Sequence, residues 1–126
     1  MILGLGIDIV EVNRIRQANE RSGFSQRILT ERERFHAESR HDPTAYLAKR
    51  FAAKEAVAKA LGVGIGKQVS FQDVEVLNLD SGQPVAELFG NARVHAEQLG
   101  VTRIHISISD TEQHAIAQVI LEGEGG

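Results

Sequence analysis

Alternation comes first. In ILGLGIDIV (residues 2–10) the apolar Leu3, Leu5, Ile7 and Ile9 fall on one face of a strand, and Gly4, Gly6 and Asp8 on the other. Two glycines beside a carboxylate leave the backbone open to a bulky neighbour. From Val12 the pattern predicts a helix, stopped near Ser22-Gly23 by a residue that tolerates the left-handed cap. Thr30 to Glu33 has the form of a capping box and opens a short helix. Asp42-Pro43, an N-cap followed by proline at the first helical position, opens another that runs to Gly62. DVEVLNLD and VAELF, joined by DSGQP, predict a hairpin; NARVHAEQLG is a helix capped by Gly100. RIHISIS and HAIAQVILE form a second hairpin through DTEQ, and GEGG is a frayed tail. The order predicts an α+β fold, a mostly antiparallel sheet packed with helices, in a single domain over residues 1–126.

The helix after Pro43 is unusual in where its charges sit. At about 100° per residue, Leu47, Phe51, Ala58 and Leu61 make one apolar stripe, and Lys54 falls inside it. Glu55 and Lys59 lie just off its edge, one turn apart, and alanines occupy most other directions. Such a helix is either mostly solvated or packed on several sides with ionised groups held in a pocket.

Composition narrows the class. With 126 residues, 42% hydrophobic and 25% charged, the chain suits one ordinary domain whose modest core favours self-association. The absence of cysteine excludes disulfides and thiolate metal sites. The first apolar run is interrupted by Asp8 and Glu11 too soon for a signal peptide or membrane span, so a cytoplasmic protein with no membrane partner is expected. A net charge of −3 argues against nucleic-acid binding. Residues 13–28 nonetheless carry Arg14, Arg16, Arg21 and Arg27 against Glu20 alone, which suits either an acidic partner or a solvated helix face.

Candidate chemistry is sparse. Asp8 and Glu55 each stand among small residues on elements that favour burial, and a buried carboxylate requires a partner. If they converge they suit Mg²⁺, which binds through one or two carboxylates plus waters and phosphates. Equally, Asp8 pairs with an arginine and Glu55 with Lys59 as a helical i,i+4 pair. Gly62, Gly64 and Gly66, followed by Lys67, either cradle phosphates through backbone N–H groups or simply cap the helix; the run lacks the Walker pattern. The five histidines show no zinc spacing, and neither Ser107 nor Ser109 sits in a nucleophile elbow.

Taken together, GLGIDIVEVNRI, KRFAAKEAVAKALGVGI, SGQPVAELFG and ISISD…AIAQVI resemble the small, single-domain branch of the 4′-phosphopantetheinyl transferase superfamily, over essentially the whole chain and in the same order. The resemblance implies transfer of the phosphopantetheine arm of coenzyme A to a serine of apo acyl carrier protein, with release of adenosine 3′,5′-bisphosphate. It implies Mg²⁺ held by Asp8 and Glu55, and Lys59 facing the same phosphates and assisting the leaving group. The proton of the carrier serine goes to a carboxylate or to water on the metal. Arg50 and Lys54 are further phosphate-binding candidates, and Gly62 and Gly64 are expected to lie against the coenzyme. The basic first helix docks the acidic carrier protein, through Arg14 and Arg21 with Phe24 and Ile28 as apolar contacts. The family also implies a homotrimer with active sites between subunits.

Two positions depart from the family's pattern: Asp110 stands where many relatives have histidine, and His114 where tyrosine is common. An aspartate repels phosphate, so Asp110 is not assigned to coenzyme binding, and His114 is left without a role. A carrier or coenzyme sensor without turnover has little need of both carboxylates, and a phosphohydrolase leaves the basic helix unexplained.

Overall fold

The computed structural model describes residues 1–124. Its elements are β1 (Ile2–Glu11), α1 (Val12–Ala18), α2 (Phe24–Ile28), α3 (Glu31–Glu38), α4 (Pro43–Ala60), β2 (Val74–Asn78), β3 (Pro84–Leu88), α5 (Gly90–Leu99), β4 (Val101–Asp110) and β5 (His114–Gly123). A 3₁₀ turn, Phe71–Asp73, precedes β2. Strands β1, β5 and β4 form an antiparallel sheet in that order, and β2 and β3 a separate antiparallel hairpin. The α+β expectation holds.

Where the pattern was local, it was met. Thr30 Oγ1 accepts from Glu33 N–H, and Thr30 N–H donates to Glu33 Oε1 at 2.7 Å, both arms of the capping box. Asp42 caps α4 through Ala45 N–H, with Pro43 at its first position. The first helix is different: it ends at Ala18, and Gly23, at φ +86°, leads into a separate helix, α2. Val12 and Ile15 are its buried residues, and the run Asn19 to Ser22 offers no apolar side chain to continue that face. Of the expected frayed tail, Gly123 belongs to β5 and Glu124 N–H donates to Gly100 O, while residues 125–126 lie outside the described residues.

Helix α4 is buried on nearly every side, which settles the question its charges raised. Eleven of its eighteen residues are buried, and it lies across both β1 and β5. The bulky neighbour for which Gly4 and Gly6 make room is the backbone of this helix. A Cβ on Gly6 would lie 2.0 Å from Ala56 O, and one on Gly4 2.1 Å from Ala60 O. Gly6→Ala is therefore expected to lower stability by about 3 kcal/mol, because backbone and not a flexible side chain must move. Urea unfolding measures it, and a loss under about 0.5 kcal/mol would refute the contact.

The opposite face of β1 is bare. Leu5, Ile7 and Ile9 are 63, 54 and 61% exposed, although their alternation is that of a half-buried strand. Leu3 leaves this stripe because the register shifts between Ile2 and Gly4, turning it onto the core. Across the pairing, Leu5 opposes Ile120 and Ile9 opposes Ile116, so the apolar face extends onto β5.

Candidate functional site

The glycine contact places Glu55. Ala56 sits directly over Gly6, so the residue before it reaches the vicinity of Asp8, two positions further along the strand. Lys59, one turn beyond Glu55, donates from Nζ to Asp8 Oδ1 at 3.0 Å and to Ile7 O at 3.1 Å. The cation that pairs with Asp8 is thus Lys59, not an arginine, and Lys59 makes no ion pair with Glu55. Asp8 Oδ2 is buried without a hydrogen-bond partner. A cavity of about 390 Å³ opens here, lined by Ile7, Asp8, Ile9, Lys59 and Ile116.

Electrostatics joins the two carboxylates. Burial pushes the Glu55 carboxyl up from its ordinary range, and the charge of Asp8 pushes it further, against the pull of Lys59. Two carboxylates and an orphaned buried oxygen suit a small hard cation completed by water and phosphate oxygens. No group of three or more metal-ligating side chains occurs among the described residues.

A raised carboxyl has a measurable consequence. Between its ordinary and its raised value Glu55 binds more protons folded than unfolded, so metal-free stability falls as pH rises through that interval. Mg²⁺ favours the ionised form and is expected to flatten the fall. Thermal melts across that interval, with and without Mg²⁺, check this; identical pH profiles would refute it.

Other expected site residues are placed elsewhere. Lys54 does not face phosphate: it is 0% exposed, and Nζ donates to Glu33 Oε1 and Ile28 O at 2.6 Å and to Phe71 O at 3.0 Å. Burial pulls its ammonium below the usual range, and Glu33 holds it up. Ile28, 0% exposed, lies in the core and is no surface contact. Gly62 and Gly64 are left-handed, and their N–H groups donate to Lys59 O and Ala58 O. They cap α4 and cannot cradle phosphate through those donors, although the space beside both is open.

Arg50 lines a different, polar cavity of about 440 Å³, together with Arg40, Lys49, Tyr46, Asn78 and Asp110. Its guanidinium stacks 4.4 Å over the Tyr46 ring and donates to Asn78 Oδ1, while Nε is buried without a partner. Arg50 precedes Glu55 by five positions, about 140° round the helix and roughly 7.5 Å along it. The two cavities share no lining residue. Arg40, Lys49 and Tyr46 were missed in the sequence, although Tyr46 and Arg50 stand at i,i+4 spacing.

Arg14 and Arg21 are exposed, and Phe24 is half-buried, stacked on Phe51. Arg14 and Phe24 border an apolar groove of about 460 Å³ that also includes Ile15, Phe51 and His114. No helix of the described residues is long and apolar enough to cross a membrane.

Comparison with known proteins bears on this geometry. The profile of the 4′-phosphopantetheinyl transferase superfamily matches residues 4–119. The holo-[acyl-carrier-protein] synthase of Pseudoalteromonas atlantica is 52% identical over 122 residues, covering 96% of this chain and 97% of that protein. That of Vibrio parahaemolyticus is 51% identical, covering 96% and 98%. Among solved structures, holo-[acyl-carrier-protein] synthase from Neisseria meningitidis superposes with a TM-score of 0.91 at 40% identity, covering 97% of this chain and 99% of that one. The Bacillus anthracis enzyme, in complex with coenzyme A (3′,5′-ADP), gives 0.84 at 44% identity, covering 98% and 99%. A match over nearly the whole chain in both sequence and fold leaves one conclusion: the chain belongs to the 4′-phosphopantetheinyl transferase superfamily, among its holo-[acyl-carrier-protein] synthases.

Proposed function

We propose that Asp8 and Glu55 hold Mg²⁺ in a reaction that moves 4′-phosphopantetheine from coenzyme A to a serine of apo acyl carrier protein, releasing adenosine 3′,5′-bisphosphate. The observation that carries this is the unpartnered, buried Asp8 Oδ2, with a Glu55 carboxyl near enough that Asp8 adds to the upward push of burial. When bound, the ion neutralises the pyrophosphate and polarises the phosphorus under attack. Lys59 holds positive charge at the same oxygen cluster and is placed to stabilise the leaving phosphate. Arg50, with its unpartnered Nε, is a second anion contact for the coenzyme, and the open sides of Gly62 and Gly64 leave room for it to lie there.

Arg14 and Arg21, with Phe24 between the helices, dock the acidic carrier protein, by an attraction that weakens with salt. The product serves fatty-acid synthesis in the cytoplasm. Intact mass of apo carrier protein after incubation with this protein, coenzyme A and Mg²⁺ tests the whole reading. A gain of one phosphopantetheine arm that vanishes with a chelator supports it, and no gain with coenzyme A still bound would overturn it.

The working unit we propose is a homotrimer. Leu5, Ile7 and Ile9 present an uncovered apolar face, which a neighbouring copy would bury. Ile7→Glu is expected to convert a particle of three times 13.8 kDa into monomers and to depress transfer with it. Sedimentation of the variant as an intact, active trimer would refute this.

A further inference from the structure

Helix α2 is too short to support itself. Five residues make one turn and leave the carbonyls at its end without intrahelical donors, a state that frays in water. Here every one of those carbonyls is met from outside. Gln72 Nε2 lies 2.9 Å from Gln26 O, 3.1 Å from Arg27 O and 2.8 Å from Leu29 O, sharing its two protons among three acceptors. Arg34 Nη1 reaches Leu29 O at 2.7 Å and Gln26 O at 3.3 Å. The buried Lys54 takes the remaining carbonyl, Ile28 O.

The donor groups stand on fixed supports. Gln72 lies in the 3₁₀ turn, whose Ser70 and Asp73 form a reciprocal cap. Its neighbour Phe71 packs on Phe51 of α4 with ring centroids 5.3 Å apart, and Phe71 O accepts from Lys54. Phe51 also stacks on Phe24, the first residue of α2. The segment that presents Phe24 and Arg27 is thereby tied at both ends to the helix that carries Glu55.

We propose that Gln72 is a positioning residue for carrier-protein docking: its side-chain amide holds α2 in the conformation that presents Phe24 and Arg27 to the acidic partner. This rests on the reading of α1 and α2 as the docking surface. Gln72 is exposed, lines neither the Arg50 cavity nor the Asp8 cavity, and belongs to neither core cluster. Its replacement therefore loosens α2 and leaves the carboxylate pocket alone.

The test compares Gln72→Met, which keeps length and removes the donors, with Gln72→Lys, whose ammonium can meet the same carbonyls. Gln72→Met is expected to weaken binding of apo carrier protein about tenfold, the loss of two hydrogen bonds. It also speeds amide exchange at Arg27 and Leu29, and leaves the KM for coenzyme A within about twofold of wild type. Gln72→Lys restores carrier affinity and slow exchange. Unchanged carrier affinity in Gln72→Met, or an equal loss in both KM values, would overturn the proposal. Arg21→Glu separates the underlying reading: if it leaves carrier binding intact, the docking surface itself is misassigned.

Discussion

Glu55→Gln and Asp8→Asn are each expected to cut transfer about a thousandfold, the scale of losing a group that stabilises charge in the transition state. The variants differ in what they do to the fold, and that difference makes the result interpretable. Burial and the charge of Asp8 both disfavour the ionised form of Glu55, so a neutral amide there is expected to keep or raise metal-free stability. Asp8→Asn keeps an oxygen for Lys59 Nζ but gives up the ion pair, with a small net change because Lys59 is half-exposed. Activity lost while stability is kept or gained marks residues held for chemistry. Steady-state transfer with saturating Mg²⁺, beside thermal melts of the same samples, measures both. Near-full activity in either variant would remove that residue from the metal site.

Lys54→Met is expected to cost about 3–5 kcal/mol, because it leaves the Glu33 carboxylate buried without its counter-charge. That is a large share of the ~5–15 kcal/mol that keeps a domain folded. The pair is fully enclosed, and Glu33 accepts in addition from Thr30 N–H and from Val76 N–H at 2.7 Å. Lys54 thus ties α2, α3 and the 3₁₀ turn to α4 through one ammonium, and Glu33 extends the tie to β2. A second change, Glu33→Gln, restores part of the loss, since it removes the unpaired buried charge, although its single amide oxygen serves only one of the two backbone donors, which now meet separate oxygens. Urea unfolding of the two single variants and the double gives the coupling directly. A Lys54→Met loss below about 1 kcal/mol would mean that the ammonium is not the hub described.

These two lysines mark how far one-dimensional pattern reached. Lys54 and Lys59 belong to one helix, KRFAAKEAVAKALG, and both stand near a carboxylate in space. Their roles diverge because the segments that cover them come from different parts of the chain: Ile28 and Glu33 over Lys54, β1 over Lys59. The resemblance placed both beside phosphate; only the structure separates the structural lysine from the one in the pocket. Ile28 is a similar case, an apolar residue beside an exposed arginine that burial assigns to the core.

What the amino-acid sequence determined alone was whatever depends on a few consecutive residues. The capping box at Thr30, the Asp42-Pro43 start, the turn residues and the change of period between strand and helix are local, and the structure reproduces them. The motif blocks likewise carried the family, because their residues and order are themselves the signal. Tertiary structure decided the faces. The alternation in β1 says that two faces differ, but not which one a helix covers. Here the bare glycine face admits the α4 backbone closely enough to bring Glu55 to Asp8, and the apolar face is left outward. The physical reason is that close approach depends on the shape of both partners, and period-two patterning records only one of them.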